Sequence, residues 1–158
     1  MSINSSGATS ALDISTTLLG KITATNLVLG DDADITNPIV LKTGLSNSVN
    51  LQHITNISFK GGAGGVAFSP ASGTSISITT SGTQTYSGAV TLGADTTLTT
   101  TNSLVWFKST IDNSAAKSLS ISSGVGGVTF AGAVGGGTAL GVVVITTTGT
   151  TTISDTFA

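Results

Sequence analysis

At 158 residues, with seven Asp, five Lys and no Arg, Glu or Cys, the chain has the length of about one domain and a net charge of −2. Five scattered Lys give no cationic face for nucleic acid, and zero Cys excludes a disulfide framework and thiol chemistry. Only 8% of residues are charged and mean hydropathy is +0.43, which excludes a solvated, disordered tail.

Thr (29), Ser (22) and Gly (21) dominate. Few residues remain to build helices, whereas Thr, Val and Ile suit a pleated surface. The expected class is therefore all-β. At the N-terminus, 1–19 lacks both a charged and a continuous apolar region, so no export signal is visible. Short segments alternating apolar residues with Thr, Ser or Asn then predict strands at 22–24, 27–29, 39–41, 49–51, 57–59, 66–68 and 76–78. They continue at 90–92, 104–107, 119–121, 128–130, 142–146 and 150–153. Gly, Asn, Asp and Ser between them supply turns. The longest apolar run, Val142 to Ile145, is too short to cross a bilayer, so membrane insertion is not expected.

Strand starts about every 8 to 12 residues fit a sandwich or a solenoid equally. Internal repetition favours the solenoid. Leu27 to Thr36 returns as Val90 to Thr99, Gly64 to Phe68 as Gly126 to Phe130, and Ile76 to Ser87 as Val143 to Ser154. The offsets of 63, 62 and 67 residues predict copies at about 12–75 and 76–142 with a partial third at 143–158, all in one solenoid domain, 1–158. A unit near 64 residues divides into roughly three coils of about 21, so roughly seven short coils would make a rod on the order of 35 Å long. The runs Gly61 to Gly65 and Gly135 to Gly137 abut core-like residues, so they read as tight corners within one domain.

Gly82 to Thr99 resembles the repeats of filamentous-haemagglutinin-type exoproteins, and Val128 to Gly136 is similar to the second half of that unit. Leu19 to Asp31 also looks at home there, so the resemblance covers most of 19–154. It implies a right-handed parallel β-helix, secreted to a bacterial surface and serving as a stalk and adhesin. This chain shows neither a secretion domain nor a membrane anchor of that family.

Residues that could carry chemistry are sparse. Asp31-Asp32-Ala33-Asp34 could supply oxygen ligands to Ca²⁺, but the second copy keeps only Asp95, so a solvated turn is expected and no metal site. His53, the sole histidine, has no nucleophile or acid at a telling spacing. Seven turn-like Asp without Glu do not suggest the paired carboxylates of glycoside cleavage. No catalytic residue and no cofactor are expected.

Contact surfaces are better marked. In Leu104-Val105-Trp106-Phe107 two adjacent aromatics must point to opposite faces, so one leaves the core: either Trp106 is core and Phe107 lies under a loop, or an exposed aromatic meets a subunit or a sugar. Thr-rich strands, including Thr150, Thr151 and Thr152, could form ladders of the kind ice-binding solenoids present. The end from Thr150 through Ile153 to Phe157 opens a third copy without a cap, while 1–11 is polar enough for a weak cap or an added strand. Uncapped ends predict head-to-tail association with copies of itself into a filament. The function expected is a non-enzymatic extracellular fibre or stalk subunit at a bacterial surface, with surface glycans or a host surface as further partners. The alternatives are a glycan- or ice-binding module and a trimeric phage-type tail fibre.

Overall fold

The computed structural model describes residues 2–3, 12–15, 19, 21–32, 36–42, 48–51, 53–69 and 75–158. Strands β1 (Ser2–Ile3) and β2 (Leu12–Ser15) come first, so part of the polar N-terminal segment is an added strand. Four turns follow with a strand on each of three sides. They are β3 (Ala24–Gly30), β4 (Ile39–Lys42), β5 (Ser48–Leu51); then β6 (Ile54–Lys60), β7 (Val66–Phe68), β8 (Ile76–Thr80). The next are β9 (Gln84–Tyr86), β10 (Val90–Leu92), β11 (Thr96–Thr100) and β12 (Val105–Phe107), β13 (Ile111–Asn113), β14 (Leu119–Gly124). Strands β15 (Val128–Phe130), β16 (Val143–Thr147) and β17 (Thr151–Ile153) continue the winding.

Every third strand shares a sheet. The first sheet runs β1-β3-β6-β9-β12-β15-β17, the second β2-β4-β7-β10-β13, and the third β5-β8-β11-β14-β16. Isolated parallel bridges from Ile111 to Val134 and from Val134 to Phe157 extend the second sheet. All pairings are parallel, which makes the fold a β-solenoid. Paired residues lie from 20 positions apart (Ile76 to Thr96) to 30 (Leu27 to Ile57), so turn length varies where the sequence suggested about 21.

Alternation sets which side chains fill the tube. In β8 and β14 every second residue is buried, and the same holds in the three-residue strands β7, β9, β13 and β15. Because strands pair in register, inward residues stack into columns. One column of the first sheet is Leu29, Phe59, Tyr86, Phe107, Phe130 and Ile153. Its aromatic rings are stacked, with centroids 5.1 Å apart from Phe59 to Tyr86, 4.8 Å from Tyr86 to Phe107 and 5.4 Å from Phe107 to Phe130. Those spacings approach the ~4.8 Å between strands, and each such pair adds about 0.5–1.5 kcal/mol beyond simple burial. Phe107 is thus a core residue and unavailable for contact at the surface.

A polar seam runs inside this tube. Gln84, fully buried, donates to the carbonyls of Ile78 (3.1 Å) and Thr99 (2.9 Å), and its Oε1 accepts the Tyr86 hydroxyl at 2.9 Å. Thr80 and Thr100 sit in one inward column and donate to the carbonyls of Gly82 and Ser103. Gln84, Tyr86, Thr80 and Thr100 each spend a hydrogen on a nearby carbonyl, which keeps their burial from being costly, whereas the buried Ser123 hydroxyl, next along the Thr80–Thr100 column, has no partner among the described residues.

The repeat in the sequence has an unexpected basis. Gly64 to Phe68 lies on the second sheet and Gly126 to Phe130 on the first; Leu27 to Leu29 and Val90 to Leu92 likewise occupy different sheets. Only Ile76 to Ser87 and Val143 to Ser154 join equivalent sides. The shared feature of the Gly-Gly-Val motifs is local. Gly65 (φ +77°) and Gly127 (φ +79°) both enter a strand in the left-handed region, and a Cβ on either would lie 2.4 Å from the carbonyl oxygen of Ala89 or Thr150. Corner chemistry therefore recurs on any side of the solenoid. The Gly61 to Gly65 run is one such corner, containing a short 3-10 turn at Gly62–Gly64.

Two outcomes follow from this packing. Gly127→Ala is expected to lower unfolding free energy by about 1–3 kcal/mol, read from denaturant titration, because strain and backbone clash both act at that corner. Burial raises the hydroxyl pKa of Tyr86, the sole tyrosine, well above its ordinary 10.0. Its folded pKa thus exceeds its unfolded one, so its contribution is complete below about pH 10 and is lost as pH rises beyond. Unfolding midpoints measured across that range should fall more steeply for the wild type than for Tyr86→Phe.

Candidate functional site

Two surfaces stand out, an uncovered edge and one outer face. At the edge, the inward columns end on Val143 and Ile145 of β16, Thr151 and Ile153 of β17, and Phe157. These residues rest on Leu119, Ile121, Val128, Phe130 and Val134, all buried. Phe157 meets Phe130 edge-on at 5.7 Å yet stays 39% exposed, and Ile153 is 49% exposed. Val128 N–H donates to the Thr150 carbonyl, Ser154 N–H to Phe130, Val134 N–H to Thr156, and Ala158 N–H to Val134. In a parallel ladder alternate residues face the partner strand. Thr151, Ile153 and Phe157 therefore turn their own N–H and C=O groups away from the preceding coil. Among the described residues no strand pairs with the outer edge of β16 or β17.

The same residues thus expose both core side chains and unpaired backbone. Sequence reasoning placed Thr150, Thr151, Thr152, Ile153 and Phe157 at a contact, and all five are exposed. Their roles differ. Thr152 stands in the outer ladder, Thr150 accepts a bond from the coil below, and Thr151, Ile153 and Phe157 form the edge. Val125, Val142 and Val144 are also exposed, so among the described residues five of the six exposed large hydrophobics fall within 125–158.

On the outer face of the first sheet the in-register ladder reads Val28, Ser58, Thr85, Trp106, Thr129 and Thr152. Trp106, between buried Val105 and Phe107, is 37% exposed, and the Lys108 ammonium lies 4.4 Å from its ring centroid. Leu104 lies outside β12, in the corner, which is why alternation fails there. A groove of about 350 Å³ crosses three turns beside Trp106, between a column of Asn26, Asn56 and Thr83 and one of Val28, Ser58 and Thr85. Asn56 Nδ2 donates to Asn26 Oδ1 at 2.9 Å, and Asn56 Oδ1 accepts the Thr83 N–H and hydroxyl at 2.9 and 3.0 Å. Sequence reasoning missed this column. Its signal was the pair Thr25-Asn26-Leu27 and Thr55-Asn56-Ile57, one turn apart.

Carboxylates and the histidine lace neighbouring turns together. Asp95 Oδ1 accepts Ser118 N–H at 2.8 Å; Asp112 Oδ1 accepts Gly137 and Thr138 N–H at 2.8 and 3.1 Å. Asp32 pairs with Lys60 at 3.3 Å, and His53 Nε2 lies 3.3 Å from the Leu19 carbonyl, to which it donates. Asp34 lies outside the described residues. Among those described, no three His, Cys, Asp or Glu side chains gather in a metal-binding arrangement. No described helix is long and apolar enough to cross a membrane.

Because Asp112 satisfies two backbone donors of the following turn, Asp112→Ala should cost about 1–3 kcal/mol, as charged hydrogen bonds do. Thermal unfolding of the pair checks this, and Asp112→Asn, which keeps one acceptor, should recover part of the loss.

Comparison of this chain with protein families, with curated protein sequences and with solved structures gave no match.

Proposed function

We propose that this chain is a non-enzymatic structural subunit that stacks head to tail into a filament outside the cell, at a bacterial surface, as a stalk. The observation that carries the reading is the uncovered edge, where Val143, Ile145, Thr151, Ile153 and Phe157 present unpaired backbone together with apolar side chains. Such an edge is a template for another parallel strand, and natural β-proteins blunt edges with charge or bulges. Here no charged side chain stands at those five positions. A second copy would supply a strand to each sheet, since β1, β2 and β5 are the opposite outer strands of the three sheets.

A right-handed winding of roughly seven coils belongs to the same reading, supported by the seven strands of the first sheet and by the strong right-handed preference of parallel crossovers. The resemblance of Gly82 to Thr99 to filamentous-haemagglutinin-type repeats supports the bacterial surface setting. In a stack of this kind ladder hydrogen bonds and stacked rings resist pulling along the axis, which suits a stalk. Adhesion would reside on the outer faces.

Negative-stain electron microscopy across a concentration series, with mass photometry beside it, tests the proposal. The expected result is unbranched fibres that lengthen with concentration. Ile145→Lys/Ile153→Lys, which places charges at the edge, should leave the circular dichroism spectrum unchanged and the particle monomeric. A monodisperse wild-type monomer at high concentration, or a trimer of fixed size, would overturn the reading.

A further inference from the structure

We infer that the outer face of the first sheet binds an extended, uncharged polysaccharide, with one sugar ring on Trp106 and the chain laid along the groove beside it. The groove's walls carry amide and hydroxyl side chains, Asn26, Asn56 and Thr83 on one side and Ser58 and Thr85 on the other, with Val28, Leu27 and Ile57 supplying apolar surface. No ionisable side chain lines it. The hydroxyls of Ser58 and Thr85 bond to no other described residue, so both can donate to and accept from a ligand. The Asn56 amide is held by Asn26 and Thr83, which fixes the wall before anything binds.

Trp106 follows Thr85 in the same ladder, one turn further along the axis. Groove and indole together span three rises of ~4.8 Å, about 14 Å, room for about three pyranose rings. A sugar presents apolar C–H faces to an aromatic ring and hydroxyls around its rim. An isolated exposed indole ending a file of amides and hydroxyls matches that polarity. The Lys108 ammonium over the ring sits on an exposed, flexible stem, and its contact is worth only about 0.5–1 kcal/mol at such a site, so a sugar displaces it cheaply.

Other occupants fit less well. A peptide strand adds to a sheet edge, whereas this groove lies on a sheet face whose backbone groups are already paired. Nucleic acid needs a file of cations, and here Lys108 stands alone because Lys60 is paired with Asp32. This inference concerns the side of the solenoid and does not rest on filament formation at its end.

Affinity electrophoresis of the full chain in native gels tests the inference, with hydroxyethylcellulose, galactomannan and dextran as neutral probes and polygalacturonate as an acidic one. Trp106 is the sole tryptophan, so its emission reports on this site alone. At least one neutral polymer should retard the chain and shift that emission to the blue. Trp106→Ala should abolish retardation and Ser58→Ala/Thr85→Ala should weaken it about tenfold or more, with thermal unfolding unchanged in all three. Retardation by none of the neutral polymers, retardation undiminished in Trp106→Ala, or binding confined to polygalacturonate would overturn it.

Discussion

Everything in this molecule depends on one constraint: each turn must lie directly on the last, in register and in parallel. Strands a fixed ~4.8 Å apart force an inward residue to sit on an inward residue, turn after turn. Where the stacked residues are aromatic, ring spacings of 4.8 to 5.4 Å meet that rise almost without adjustment. Turn length varies from 20 to 30 residues while the paired strands keep their parallel register. Register survives as long as each corner returns the chain at the right height, which is the task of the left-handed Gly65 and Gly127.

The same constraint explains the polar chemistry. Two carboxylates are bound to the next turn's backbone, Asp95 to Ser118 and Asp112 to Gly137 and Thr138. A solenoid with short corners has many such groups to satisfy and few side chains left over. The periphery carries an outer face that repeats small hydroxyls around one indole, and the edge that β16 and β17 present.

How much of this was legible in the sequence depended on what each strand buries. Val66–Phe68, Val90–Leu92 and Val128–Phe130 have apolar residues at both inward positions, and their strands were readable to the residue. Strands β9, β11 and β13 escaped notice because Gln84, Thr96, Thr100 and Asn113 point inward, and a polar core position erases the alternation. Seeing them requires the partner that satisfies each group, such as the Thr99 carbonyl beside Gln84, which only the stacked turns bring near. The long-period repeat was real as a sequence pattern but recorded corner geometry more than position around the tube. At the surface, alternation alone demanded that one of Trp106 and Phe107 face outward; which one was fixed by the aromatic column that Phe107 joins. The Asn26–Asn56 pair was present as a repeated Thr-Asn, but its meaning depended on knowing that the two lie one turn apart.

In the proposed filament a second copy covers the edge that β16 and β17 present. Amide hydrogen exchange at Thr151, Ile153 and Phe157, followed as protein concentration rises, measures this most directly, with Val128 and Phe130 as paired references. Rapid exchange is expected at the three edge amides in dilute solution, with protection approaching that of the references as copies associate. Edge amides whose protection is the same at every concentration would contradict it.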